Sequence, residues 1–145
     1  MRLALFQPDI ALNVGTMLRM GACLGVPIDI IEPCGFPFSV AAIKRSGMDY
    51  IEQASITRHM DWQSFNGQRS TRLVLVETTG LVNYTDFQFH INDTIMVGRE
   101  SAGTPPDVES ACDAVVKIPM QPNMRSLNVA ISAAMVLGEA LRQTR

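Results

Sequence analysis

Cysteine is scarce in this sequence. Only Cys23, Cys34 and Cys112 occur in 145 residues, with no C-x-x-C pair and no Cys/His ligand spacing, which argues against disulfides and structural zinc. Long apolar runs are missing too: Leu3 to Phe6 follows a single arginine and is too short for a secretion signal, and nothing approaches the ~20 apolar residues that cross a bilayer. The expected location is therefore the cytoplasm, with no membrane partner. Positive charge is not in excess, since 12 Lys+Arg stand against 14 Asp+Glu for a net charge of -2. This excludes a grip on nucleic acid through a broadly basic surface, so any RNA contact must be local. The phosphate loops G-x-G-x-x-G and G-x-x-x-x-G-K-[ST] are also absent, which removes most support for nucleotide hydrolysis or a standard dinucleotide fold. His59 and His90 stand apart from any nucleophile elbow and read as structural histidines.

What is present is an ordinary globular composition, 47% hydrophobic and 18% charged, expected to form one domain over residues 1–145. Arg2 to Phe6 reads as a buried strand closed by Pro8. A helix follows, with Asn13 as its expected cap, an apolar face of Val14, Met17, Leu18, Gly21 and Ala22, and Gly25 as its stop. Asn13, Thr16 and Arg19 fall along another side. Further strands are expected at 28–31, 54–57, 72–76, 94–97 and 115–118. Helices are expected after Asp61, after a Thr104 cap with Pro105 in first position, and from Ser126 to about Gln143. Alternating strands and helices indicate an α/β fold, a mainly parallel sheet with helices on both faces. The last helix has almost no polar face over its first three turns. It should pack on the sheet with one side and on a second copy of the chain with the other, giving a homodimer.

Three turns, each following an expected buried strand, stand out. They are Glu77-Thr78-Thr79-Gly80, Gly98-Arg99-Glu100-Ser101-Ala102-Gly103, and Ile118-Pro119-Met120 leading through Pro122 and Asn123 to Arg125-Ser126-Leu127-Asn128. In a parallel sheet, ligands collect beyond the carboxyl ends of the strands, so three such turns can line one pocket. Singly, each is equally explained as an ordinary turn or helix cap, with Ser126 capping the final helix. Candidate local cations for RNA are Lys44, Arg45 and Arg58.

The order Asn13 to Arg19, then Gly98 to Gly103, then Ile118-Pro119-Met120 with Arg125-Ser126-Leu127-Asn128, resembles the three motifs of the knotted SPOUT class of RNA 2'-O-methyltransferases. Within it, the chain is most similar to the minimal bacterial tRNA (cytidine(34)-2'-O)-methyltransferase group. Ile31-Glu32-Pro33, Gly35-Phe36, Gly47, Asp49-Tyr50 and Thr57-Arg58-His59 extend the resemblance over nearly the whole chain. It implies a C-terminal trefoil knot, S-adenosylmethionine as cofactor, a homodimer, and ribose methylation in the tRNA anticodon loop at wobble position 34, without a metal. It further implies cofactor contacts at Glu77, Gly98, Ile118 and Ser126, with Thr78, Met120 and Leu127 beside them.

For the chemistry, Arg19 is expected at the acceptor, with Asn13, Glu100, Ser126 and Asn128 completing the catalytic set. The resemblance implies a proton-accepting arginine, but guanidinium stays protonated in proteins, so binding a substrate phosphate or stabilising the alkoxide is the role preferred for Arg19. Three positions depart from the family pattern: Arg99 for proline, Ala102 for arginine, and Ala130 for a polar residue, the last expected to bear on the dimer seam. Alternative readings are a ribosomal RNA substrate, a noncatalytic knotted RNA-binding factor, and a doubly wound nucleotide-binding module.

Overall fold

Leu3, Ala4, Leu5 and Phe6 are all buried, so strand β1 (Arg2–Phe6) is covered on both faces, as a central strand of a parallel sheet must be. The computed structural model describes residues 1–39, 41, 43 and 52–145. After β1 come α1 (Ala11–Leu24), β2 (Ile28–Ile31), β3 (Ile56–His59), α2 (Trp62–Gln68), β4 (Leu73–Val76), β5 (Val82–Asn83), β6 (Thr94–Val97), α3 (Pro106–Ser110), β7 (Ala114–Lys117) and α4 (Val129–Thr144). The strands form one sheet in the order β3-β2-β1-β6-β4-β7-β5, and every pairing is parallel.

Alternation along β1 sends Leu3 and Leu5 to one face and Ala4 and Phe6 to the other. The first face is covered by Val14, Met17 and Leu18 of α1 and by Ala133, Val136, Leu137 and Ala140 of α4. The second is covered by Phe65 of α2 and Val108 of α3. Helices thus lie on both faces, as expected. α1 sits tightly, because a Cβ on Gly21 would come within 2.8 Å of both Ile28 and the Val26 carbonyl. Gly25 ends that helix in the left-handed region at φ 65°, a conformation open to glycine without steric cost.

Several expected boundaries move. The third strand occupies Ile56–His59 rather than 54–57, and its middle residues Thr57 and Arg58 are exposed; this edge strand has little apolar run to announce it. The last strand is Ala114–Lys117, one residue early, and the two-residue β5 carries no sequence signal. Asn13 is no cap: α1 begins after Ile10, and Asn13 lies buried in its first turn. Thr104 is no cap either, since Pro105 holds that position and Pro106 begins α3. The last helix starts at Val129 rather than Ser126, and Asn128 is the residue that caps it.

Within the single chain α4 is buried on one side. Ala130, Ala133, Val136, Leu137 and Ala140 are buried, whereas Ile131 is 54% and Met135 37% exposed. One side packs inside the chain and the other remains an open apolar surface. Ala130, expected at a dimer seam, is instead part of the chain's own core. His59 is a structural histidine as read: its Nε2 lies 2.9 Å from Asp29 Oδ1. The three cysteines are free thiols, and burial pushes those of Cys34 and Cys112 up to about 11.

Candidate active site

β6, β4 and β7 are neighbours in the sheet, so the segments that leave their carboxyl ends must emerge side by side. Those segments are the three turns singled out in the sequence. They enclose a cavity of about 330 Å³, walled by Glu77 and Thr78 after β4, Gly98 to Glu100 after β6, Ile118 and Met120 after β7, and Ser126 to Asn128 before α4. Its size falls within the range of small-molecule sites.

A chain of side-chain hydrogen bonds crosses its rim. Glu100 accepts from Asn13 Nδ2 at 3.0 Å, and through its other oxygen from the Asp9 backbone N–H at 3.0 Å. Asn13 Oδ1 in turn accepts from Asn128 Nδ2 at 3.0 Å. Asn128 Oδ1 then accepts from the backbone N–H groups of Ala130 and Ile131 at 2.9 and 3.3 Å. An ionised carboxylate can only accept, so Glu100 fixes which way the Asn13 amide faces. Asn13 then fixes Asn128, and Asn128 closes the first turn of α4. Three segments far apart in sequence are held by one directional series.

The turns themselves are tightly made. A Cβ on Gly98 would overlap Thr104 Oγ1, a buried hydroxyl with no hydrogen-bond partner among the described residues. Gly103 takes φ 62° and donates its N–H to the Arg99 carbonyl at 3.0 Å, closing the turn on itself. Glu77 braces two turns at once, accepting from Thr78 N–H at 3.0 Å and Thr104 N–H at 3.3 Å. Asp9 accepts from both the backbone and the hydroxyl of Ser101, which hold its carboxyl below the usual range.

Of the expected site residues, Asn13, Glu77, Thr78, Gly98, Glu100, Ile118, Met120, Ser126, Leu127 and Asn128 all line this one cavity. Arg19 does not; it lies on the exposed side of α1. Arg58 is remote from the cavity wall and donates to Glu32 at 2.8 Å, with its guanidinium over the Phe38 ring. Lys44 and Arg45 lie outside the described residues. Among the described residues, no group of three or more His, Cys, Asp or Glu could hold a metal ion, and no helix is long and apolar enough to cross a membrane.

The pattern of the SpoU rRNA Methylase family matches residues 1–138. The chain belongs to the SpoU methylase family. A relative from Beijerinckia indica, a tRNA (cytidine(34)-2'-O)-methyltransferase, is 54% identical over 97% of this chain and 90% of its own. Among solved structures, one on the 2-OH methylation of C/U34 on tRNA superposes with a TM-score of 0.91 at 33% identity, covering 98% of this chain and 94% of that one. An AdoMet-bound rRNA methyltransferase from Sinorhizobium meliloti gives a TM-score of 0.86 at 27% identity, over 97% of this chain and 55% of that one. Membership in the SpoU methylases and the α/β architecture expected from the sequence therefore stand together. Ile10, Val129 and Ser132 also line the cavity and were not picked out from sequence. Val129 and Ser132 lie in the first turn of α4, next to a motif already recognised, whereas Ile10 carries no signal beyond preceding a helix.

Proposed function

We propose that this SpoU methylase transfers a methyl group from S-adenosylmethionine to the ribose 2'-hydroxyl at wobble position 34 of a tRNA, cytidine or uridine. The observation that carries this is the convergence of the three turns on a single cavity bordered by the Glu100, Asn13 and Asn128 series. Support comes from the names of the relatives, which are tRNA (cytidine(34)-2'-O)-methyltransferases covering nearly all of the chain, and from the AdoMet-bound neighbour. The cavity suits an adenosine-bearing cofactor: its wall mixes apolar side chains such as Ile118, Met120 and Leu127 with polar ones, and Glu77 offers a braced carboxylate there.

Bound there, the cofactor supplies an electrophilic methyl group on a sulfonium. Its methyl group would pass to the ribose oxygen while the sulfur keeps the electron pair, and the hydroxyl proton would pass to water or a phosphate. The chain's part is alignment, because in-line displacement depends on placing acceptor and donor. Gly98, Ile118, Met120 and Leu127 enclose the cofactor, Glu77 and Thr78 bind it by hydrogen bonds, and Asn13 and Asn128 orient the acceptor side with Ser126. Arg19, on the outer side of α1, binds a phosphate of the RNA, and Lys44, Arg45 and Arg58 add local cations for the anticodon loop. The segment from β7 to α4 completes a trefoil knot. The open apolar side of α4 is the contact of a homodimer. The protein works in the cytoplasm as one domain spanning residues 1–145.

The test is methyl transfer from labelled S-adenosylmethionine to tRNA transcripts carrying cytidine or uridine at position 34. The expected product is methylated at that ribose, and a transcript already 2'-O-methylated there accepts nothing. Transfer to ribosomal RNA fragments with none to tRNA would replace the substrate, and full activity of Arg19→Ala would remove Arg19 from the reaction.

A further inference from the structure

Arg99 is the only positively charged residue among the described residues that line the cavity; the other charged ones, Glu77 and Glu100, are both negative. The fold leaves most of its hydrogen-bonding capacity open. Nε donates to the Gly103 carbonyl at a long 3.4 Å, and the guanidinium lies 5.8 Å from the Phe6 ring centroid, near the outer limit of a cation–π contact. The Asp9 carboxylate, which lies near enough to feel its charge, is already engaged by Ser101. Among the described residues, the two terminal amino groups of Arg99 donate no hydrogen bond, although the residue is only partly exposed. Arginine offers five donors in a planar fork suited to an oxyanion.

Position adds direction. Glu100 turns to Asn13 on the α1 side, whereas Arg99 turns to Phe6, whose ring belongs to the opposite face of the sheet. A polyanionic strand approaching this cavity meets two carboxylates, and a sulfonium donor inside needs no further cation beside it. We infer that Arg99 binds a phosphate of the RNA strand flanking the acceptor nucleotide, and so sets how that strand enters the cavity. This rests on the reading of the cavity as a methyltransferase site for RNA, and adds to it a substrate-binding residue.

The test uses the full chain and an anticodon stem-loop RNA with cytidine at the wobble position, its affinity measured by fluorescence anisotropy across a salt series with S-adenosylhomocysteine present. Arg99→Gln should weaken RNA binding about tenfold at ~0.1 M salt and shallow the log–log salt slope by about 0.7, the value for one single-strand phosphate contact. Calorimetric affinity for S-adenosylmethionine should stay within about twofold. Arg99→Lys keeps the charge and should keep the slope, which separates charge from any misfolding of the turn. Wild-type RNA affinity and slope in Arg99→Gln would overturn the inference, as would unmeasurable RNA binding by the wild type. Lost cofactor affinity with RNA binding intact would assign Arg99 to the cofactor carboxylate and also overturn it. RNA binding that responds as expected without methyl transfer by the wild type would instead sink the enzymatic reading and leave Arg99 its phosphate.

Discussion

At the amino ends of the strands, charged groups face one another. Arg2 meets Asp29, Arg72 meets Asp93 and Arg69 meets Asp113, at 2.6, 2.7 and 2.8 Å. At the carboxyl ends of β4, β6 and β7, carboxylates and amides instead hold backbone turns in place around a cavity, and Arg99 in its wall leaves its terminal amino groups without a hydrogen bond among the described residues. The contrast shows two uses of the same polar chemistry. Closed pairs at one end neutralise charge where the sheet must be stable, and a braced but incomplete set at the other leaves capacity for a ligand. If that division is right, substitutions at the two ends should fail differently.

The largest effect is expected at the amino end. Asp93 is 1% exposed and accepts from Arg72 twice and from the His90 backbone N–H. Asp93→Ala should lower unfolding free energy by about 3 kcal/mol, the low end for breaking a buried pair because Arg72 stays partly solvated. Urea denaturation measures this, and methyl transfer per folded molecule should hold. A fall in transfer at full folding would break the comparison. At the other end, Gly98→Ala should cut methyl transfer about 100-fold, near 2.7 kcal/mol, through lost cofactor affinity seen by calorimetry.

Asn13→Ala removes the middle of the hydrogen-bond series and leaves Glu100 and Asn128 each short of a partner. It should cost about 1–2 kcal/mol in stability and reduce transfer about tenfold, so this residue sharpens the boundary between the two uses. The smallest effect concerns pH. The Leu73 N–H, followed by the Arg69 guanidinium, holds the Asp113 carboxyl below the usual range. A depressed carboxylate adds stability above its unfolded value near ~3.9 and loses it as pH falls through the folded one. Asp113→Asn should therefore lose, near neutral pH, the stability that the ionised carboxylate adds, decline less steeply below about pH 4, and differ little from the parent near pH 2, as read by thermal melts from pH 6 to about 2. An unchanged acid slope would remove Asp113 from the balance.

How much of this the sequence discloses follows from the range of each interaction. β1, β2, β4 and β6 are mostly apolar and announce themselves, and the three turns are visible through their place after strands, the first two through glycine as well. Among the described residues β3 pairs only with β2, and three of its four residues are polar, so its place lies two residues beyond the expected one. Asn13 looked like a helix cap because local chemistry favours that role. Its real partners, Glu100 and Asn128, lie 87 and 115 residues away, and no local pattern points so far. Ser126 lost the cap to Asn128 for the mirrored reason: two polar residues, with Leu127 between them, compete for the helix end, and the one tied to Asn13 holds it. Arg19 is expected at the acceptor from the resemblance and from its place on the polar side of the helix; six residues along a helix is 240° around it, and Arg19 does not line the cavity within the single chain.

The link from Asn13 to Asn128 also fixes an order of assembly. α1 can dock on β1 and β2 early, but the cavity rim stays open until α4 has packed against it and offered its first N–H groups to Asn128. During synthesis, a chain halted before residue 130 would carry all seven strands and all three turns, yet lack the helix whose first N–H groups hold the Asn128 amide. The capacity to hold a ligand thus arrives in one late step instead of accumulating strand by strand.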